Sequence, residues 1–311
     1  MAASPLKALF DKRKMALTSA RLKAWWDGKD FDVDAFEAAL ASAPAANDAG
    51  AAPLAGEADL FDPTPDPRLQ ALQWIWGANR LAPGESMMEE LVASRLVTPA
   101  TGILGLSGLG LSQPAIHAAE GHPGELLILE WRSETRAALT AGLKNAGLAA
   151  RAKVMGFDLE TGKVDADSLD GLLSIDDFTY CANPARLAVQ FAAGLKPGCG
   201  ALIEAYTGAA GADIAPAFAS AFAEPQVLET ARIGELLFEA GLRVEEEEDL
   251  TEPHIELARA GLQRVKSGLE GAGLDARALQ ELAWELETWT VRLRLLERRR
   301  LERRGWRVIR R

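Results

Sequence analysis

Between residues 100 and 250, short apolar runs alternate with longer segments whose apolar residues recur at helical spacing. The runs are "GILGL" from 102, "ELLILE" from 125, "AKVMGFD" from 152, "LDGLLSID" from 169, "GALIEAY" from 200 and "LRVEEEED" from 242. Continuous apolar runs of strand length, each followed by a helix or loop, are the signature of a mostly parallel sheet covered by helices on both faces. The pattern therefore predicts an α/β fold with a Rossmann-like, doubly wound sheet.

Outside that region the periodicity changes. Residues 5–41 carry apolar positions at helical spacing (Leu6, Leu9, Phe10; Leu22, Trp25, Trp26) and predict an N-terminal helical extension over 1–41. Residues 42–66 begin "SAPAANDAGAAPLAG", have no period, and read as a linker. The main domain is expected over 67–311, opening with helices near 68–76 and 87–96. A C-terminal helical insertion is expected over 255–304, with a possible last strand at 305–311 in "GWRVIRR". Trp74 and Trp76 could offer faces to a quaternary ammonium group, but at helical spacing they are expected in the core.

Composition narrows the class. At 311 residues and 48% hydrophobic content the chain can bury a sizeable core, and its net charge of −11 argues against a whole-surface nucleic-acid binder. The charge is uneven: residues 291–311 hold ten arginines and two glutamates. Leu293, Leu295, Leu296 and Leu301 recur among those arginines, which favours a packed segment over a disordered nucleic-acid arm. A protein partner or an anionic surface is the other use for such a tail. The two cysteines, Cys181 and Cys199, cannot build a disulfide framework, no metal-ligand spacing is present, and no uncharged apolar stretch reaches spanning length. A cytoplasmic location with no membrane span is expected. His117 and His122 read as structural residues.

The chemistry lies where the first strands end. The glycines of "GLGLS" from 108 permit a tight turn and close approach of backbone to a ligand, and Glu130 ends the second run at the spacing of a ribose-binding acid. Asp158 ends the third run, where it could accept from an adenine amino group, with Phe157 and Leu159 beside it for the faces of the base. In this order, together with "LKPGCG" at 195–200 and "EAGLRVEEEEDLT", the sequence resembles the class I S-adenosylmethionine-dependent methyltransferase family over roughly 70–252. "WIWGANRLAPGE" is similar to the segment that precedes the sheet in members acting on small molecules and lipid headgroups.

The resemblance implies S-adenosylmethionine as cofactor. Gly108 and Gly110 would line its methionine and ribose, Glu130 would hold the ribose diol, and Asp158 with Phe157 would meet the adenine. It implies a small-molecule substrate and makes Asp176, Asp177 and Tyr180, in "SIDDFTY", the catalytic candidates. Two positions depart from the family's acid-x-Gly-x-Gly-x-Gly turn: Leu106 stands where an acid helps hold the donor's amino group, and Ser112 stands for the third glycine. A lost charge-assisted hydrogen bond is worth roughly 1.5 to 3 kcal/mol. Two functions follow: a methyltransferase for a small molecule or lipid headgroup, or a catalytically inactive methyltransferase-like binding or regulatory protein. Nucleic-acid methylation is disfavoured, because no Asn or Asp followed by Pro-Pro-aromatic follows the fourth run.

Overall fold

The structure is a computed structural model describing residues 66–84, 95–96, 98–212, 214, 217–218, 222, 227–268 and 273–311. The expected N-terminal extension, nearly all of the linker and most of the helix expected at 87–96 lie outside these residues. The described residues fall into two compact units, 66–71 with 273–285, and the remainder. In the first unit, Asp66 Oδ1 accepts the N–H groups of Arg68 (2.8 Å) and Leu69 (3.2 Å), and Asp275 Oδ1 accepts that of Ala278 (2.8 Å). Both are N-cap bonds, one at helix α1 (Pro67–Trp76) and one at a long helix, Ala276–Glu297.

The second unit is built on a seven-stranded sheet. In chain order it runs β1 (Ile103–Ser107), α2 (Ser112–Gly121), β2 (Glu125–Glu130), α3 (Ser133–Asn145), β3 (Ala152–Gly156), β4 (Leu169–Ile175), α4 (Asp177–Tyr180) and α5 (Pro184–Gly194). There follow β5 (Leu195–Gly208), α6 (Thr230–Glu239), β6 (Leu242–Asp249), α7 (Thr251–Gly268), the long helix α8 named above, and β7 (Leu301–Arg310). The strand order is β3-β2-β1-β4-β5-β7-β6. β1 to β5 are parallel, and β7 inserts antiparallel between β5 and β6. All six apolar runs form strands, and the sheet is mixed and mostly parallel, as the periodicity predicts.

Alternation along the strands builds two apolar layers. One face carries Leu172, Ala201, Ile203 and Trp306 against Leu187 and Phe191 of α5 and Leu237 of α6. The other carries Leu104, Leu106, Ile128 and Leu173 against Ala115 of α2 and Leu139 of α3. Trp76 is buried, with its ring 4.7 Å from that of Trp289, consistent with a core role.

Two boundaries differ from the sequence pattern. The strand expected from Gly200 already begins at Leu195, which is fully buried and paired with Leu169; a register shift and Gly198 at φ +79° absorb the Pro-Gly turn inside the strand. β7 begins at Leu301, four residues earlier than "GWRVIRR" suggests, because Arg299 at φ +52° ends α8 and Leu301 enters the core.

The arginine-rich tail finds its acids in the neighbouring strand. Arg307 stands opposite Glu246 in the ladder and pairs with it at 3.2 Å, and Arg304 lies 3.7 Å from Glu247. Arg299 pairs with Asp249 at 2.6 Å. The "EEEED" run and the tail thus compensate each other as cross-strand charges. None of the described helices is long and apolar enough to cross a membrane.

Candidate active site

The strand order reverses between β1 and β4, and a crevice at such a switch point is where open α/β sheets bind ligands. Gly108 and Gly110 follow β1 at φ +75° and +77°, the left-handed region that glycine adopts without strain. A side-chain carbon on Gly108 would fall 2.0 Å from the Ile175 carbonyl oxygen, so the turn closes directly onto the end of β4. One on Gly110 would fall 2.4 Å from Leu81.

Glu130, at the end of β2, is fully buried, and both of its carboxylate oxygens are used. Oε2 accepts the Gly110 N–H at 2.7 Å; Oε1 accepts the Arg132 backbone N–H at 2.9 Å and its Nη1 at 3.0 Å. The same Nη1 donates to the Gly108 carbonyl at 3.3 Å, and the guanidinium carbon stands 3.9 Å above the Trp131 ring. Trp131 in turn lies 5.2 Å from Tyr180. Gly110 and Glu130 are thus joined by a hydrogen bond, Arg132 ties Glu130 to Gly108, and Trp131 carries the contacts on to Tyr180. Sequence reasoning passes over Arg132; its only signal is a cation two residues after a candidate binding acid.

The remaining predicted residues are placed differently. Leu106 is fully buried in the apolar layer under α2 and α3, so the position that an acid would occupy faces the core. Phe157 is buried and stacks on Phe191 at 6.3 Å. Asp158 is exposed, and its Oδ1 accepts the N–H groups of Glu160 and Thr161, both at 2.8 Å; those bonds hold its pKa below the usual carboxylate value.

Consecutive carboxylates after β4 diverge because Asp176 takes a left-handed φ of +64°. Asp177 is fully buried against the Gly108 turn, where its Oδ2 accepts the Ser174 hydroxyl at 2.7 Å. Burial pushes its pKa up to about 7, opposed by the Ser174 and Ser107 hydroxyls and the Arg132 guanidinium and reinforced by Glu130. Asp176 lines a neighbouring cavity of about 350 Å³, floored by Leu173 and Leu202 and walled by His254 and Leu257 of α7.

In that cavity Arg303 of β7 is buried and pairs with both Asp176 and Glu204, the latter at 3.1 Å. Burial opposes its charge, but the two carboxylates outweigh burial and raise its pKa. Burial raises the Glu204 pKa against the pull of Arg303. His254 accepts or donates a short hydrogen bond with the Tyr206 hydroxyl, and burial together with Arg303 and Arg292 keeps its imidazole neutral. No local motif announces Arg303, Glu204 or His254, since they meet only once β7 has inserted beside β5.

His117 bonds to Gln113 at 2.7 Å and His122 to Thr98 at 2.8 Å, contacts internal to the fold. Among the described residues no group of three or more His, Cys, Asp or Glu side chains could hold a metal ion.

No family profile and no curated protein sequence matches the chain. Solved structures do. Phosphoethanolamine N-methyltransferase 2 of Haemonchus contortus, in complex with S-adenosyl-L-methionine, superposes with a TM-score of 0.68 at 19% identity, over 77% of this chain. The chain spans only 56% of that enzyme's length. The [4+2]-cyclase SpnF matches at 0.64 and 14% identity, over 78% of this chain and 92% of that one. Geranyl diphosphate C-methyltransferase of Streptomyces coelicolor A3(2) matches at 0.57 and 10% identity, over 73% and 77%. A cyclase among the matches shows that this fold hosts more than one chemistry. Sheet order, the antiparallel β7 and these superpositions together give the chain the fold of the class I S-adenosylmethionine-dependent methyltransferases.

Proposed function

We propose that the chain is an S-adenosylmethionine-dependent methyltransferase acting on a small molecule, with the donor held across the ends of β1, β2 and β4. The observation that carries this reading is Glu130: a fully buried carboxylate at the end of β2, facing the Gly108–Gly110 turn at the switch point. Burying a carboxylate is costly, and a position that keeps one beside a tight glycine turn is suited to ribose hydroxyls. When bound, the donor supplies a sulfonium methyl group, whose transfer needs mainly in-line positioning.

The chain's own residues would then divide the work. Gly108 and Gly110 let backbone approach the donor, and Glu130 accepts from the diol. Asp158, whose two backbone hydrogen bonds both fall on Oδ1, is the candidate for the adenine. The 350 Å³ cavity beside Asp176 is the proposed acceptor space. There the neutral His254, bonded to the Tyr206 hydroxyl, is suited to orient an acceptor rather than to take its proton, because burial and two arginines disfavour its charged form. In this reading Arg132 turns away when donor binds, because it holds the same Glu130 oxygen and the Gly108 carbonyl.

That last contact also favours a second reading, a methyltransferase-like binding protein whose donor crevice is permanently closed by Arg132. Titration calorimetry with S-adenosylmethionine and S-adenosylhomocysteine separates the two. The methyltransferase reading expects saturable heat from the wild-type chain and at least a tenfold weaker affinity in Glu130→Ala, about the worth of one charge-assisted hydrogen bond. No heat at millimolar ligand supports the closed-crevice reading.

A further inference from the structure

Buried polar atoms are normally hydrogen-bonded, so each exception calls for a physical reason. Among the described residues a single carboxylate oxygen is buried without a partner, Oδ1 of Asp177. It sits at the switch point, above Ser107 of β1 and Ser174 of β4, which are directly opposite each other in the ladder. Ser174 serves the other oxygen, Oδ2; the Ser107 hydroxyl is near enough to the carboxylate to favour its charged form, but its hydrogen bond is made to the Leu129 carbonyl, 3.4 Å away. Oδ1 is aimed at the Gly108 turn, 2.7 Å from where a side-chain carbon on that glycine would stand. A second orphan, the Trp131 indole N–H, belongs to the ring beneath the Arg132 guanidinium, which itself covers the Gly108 carbonyl.

A methyl donor of the adenosyl class presents a neutral ribose diol and, at its amino-acid end, an ammonium group. Glu130 suits the diol. An ammonium needs a carboxylate, and the position expected to supply one, Leu106, faces the apolar core. The geometry points to Asp177 Oδ1 as the acceptor for the donor's ammonium group, so that the acid missing from β1 is supplied from the end of β4. The inference rests on the methyl-donor reading and deepens it. Gly108 is then required twice over, for its left-handed φ and for leaving the carboxylate oxygen bare.

The test compares two ligands on the full chain: S-adenosylhomocysteine, which carries the amino-acid end, and 5′-methylthioadenosine, which keeps the adenosine but lacks it. In Asp177→Asn the affinity for S-adenosylhomocysteine is expected to fall tenfold to a hundredfold, while that for 5′-methylthioadenosine stays within twofold. The second ligand also reports that the crevice has folded, and Asp177→Ala, as a second variant, is expected to behave the same way. If the variants lose neither ligand, or lose both alike, Asp177 is structural and the inference fails while the methyl-donor reading stands. If wild type binds neither ligand, that reading fails and the inference with it.

Discussion

Asp177→Asn is expected to make the protein more stable above neutral pH, by an amount that disappears in acid. In the wild type the Asp177 pKa is pushed up to about 7 from an ordinary value near 3.8, with burial as the largest cause. The folded state therefore holds a proton between pH 4 and 7 that the unfolded state releases, and stability attributable to this residue is lost as pH rises through that window. Above pH 7 the ionised carboxylate costs on the order of 4 kcal/mol relative to the neutral acid, at about 1.4 kcal/mol per pH unit. Asparagine keeps a partner for the Ser174 hydroxyl and carries no charge. Urea unfolding of both proteins at pH 4.5 and pH 8 checks this: the variant's advantage should grow with pH and level off above 7. Parallel stability curves would mean that Asp177 is not a strained acid.

Arg132→Ala should weaken the fold and strengthen donor binding at once. Removing the guanidinium leaves Glu130 buried with only the backbone N–H groups of Gly110 and Arg132, and an uncompensated buried charge costs about 3 kcal/mol or more. The same removal frees Oε1 of Glu130 and the Gly108 carbonyl from a competitor. Affinity for S-adenosylhomocysteine should rise tenfold to a hundredfold, the worth of a charge-assisted hydrogen bond no longer broken on binding. Thermal melts with saturating ligand should accordingly show a larger ligand-induced shift in the variant than in wild type. Equal shifts would mean that Arg132 does not stand in the donor's way.

The two predictions pull stability and binding in opposite directions, as expected where a binding site is kept at a cost to the fold. Asp177 lowers stability at neutral pH and is proposed to hold the donor. Arg132 holds Glu130 and the Gly108 carbonyl and is proposed to yield to the donor.

Much of the fold is legible in the sequence because strand and helix periods are local. "ELLILE" and "LDGLLSID" need no partner to be read as buried strands, and Glu130 and Asp176 at their ends follow from counting. What is not legible depends on residues far apart in the chain. Arg303 is one arginine among ten until β7 inserts antiparallel beside β5 and brings it to Asp176 and Glu204. The acidic run of β6 looks like a solvated strand end until the same insertion sets Arg307 against Glu246.

At the site, the pattern leads to the crevice and stops short of its wiring. Counting from Glu130 assigns Leu106 to the acid's position, yet only the three-dimensional alternation of β1 turns that side chain into the core. Phe157 and Asp158 are adjacent in sequence, but one ring stacks on Phe191 while the neighbouring carboxylate caps its own turn. The left-handed φ at Asp176, which sends consecutive carboxylates to two different spaces, has no sequence signature when the residue is aspartate rather than glycine.

The methyl donor is proposed to bind between Gly108, Glu130 and Asp177. The most direct measurement is a crystal structure of the full chain grown with S-adenosylhomocysteine. Ribose density is expected on Glu130, the amino group at Asp177 and the Gly108 carbonyl, and the Arg132 side chain turned away from both. Ligand bound elsewhere, or Arg132 still bonded to Glu130 and Gly108 at saturating ligand with the crevice closed, would contradict this placement.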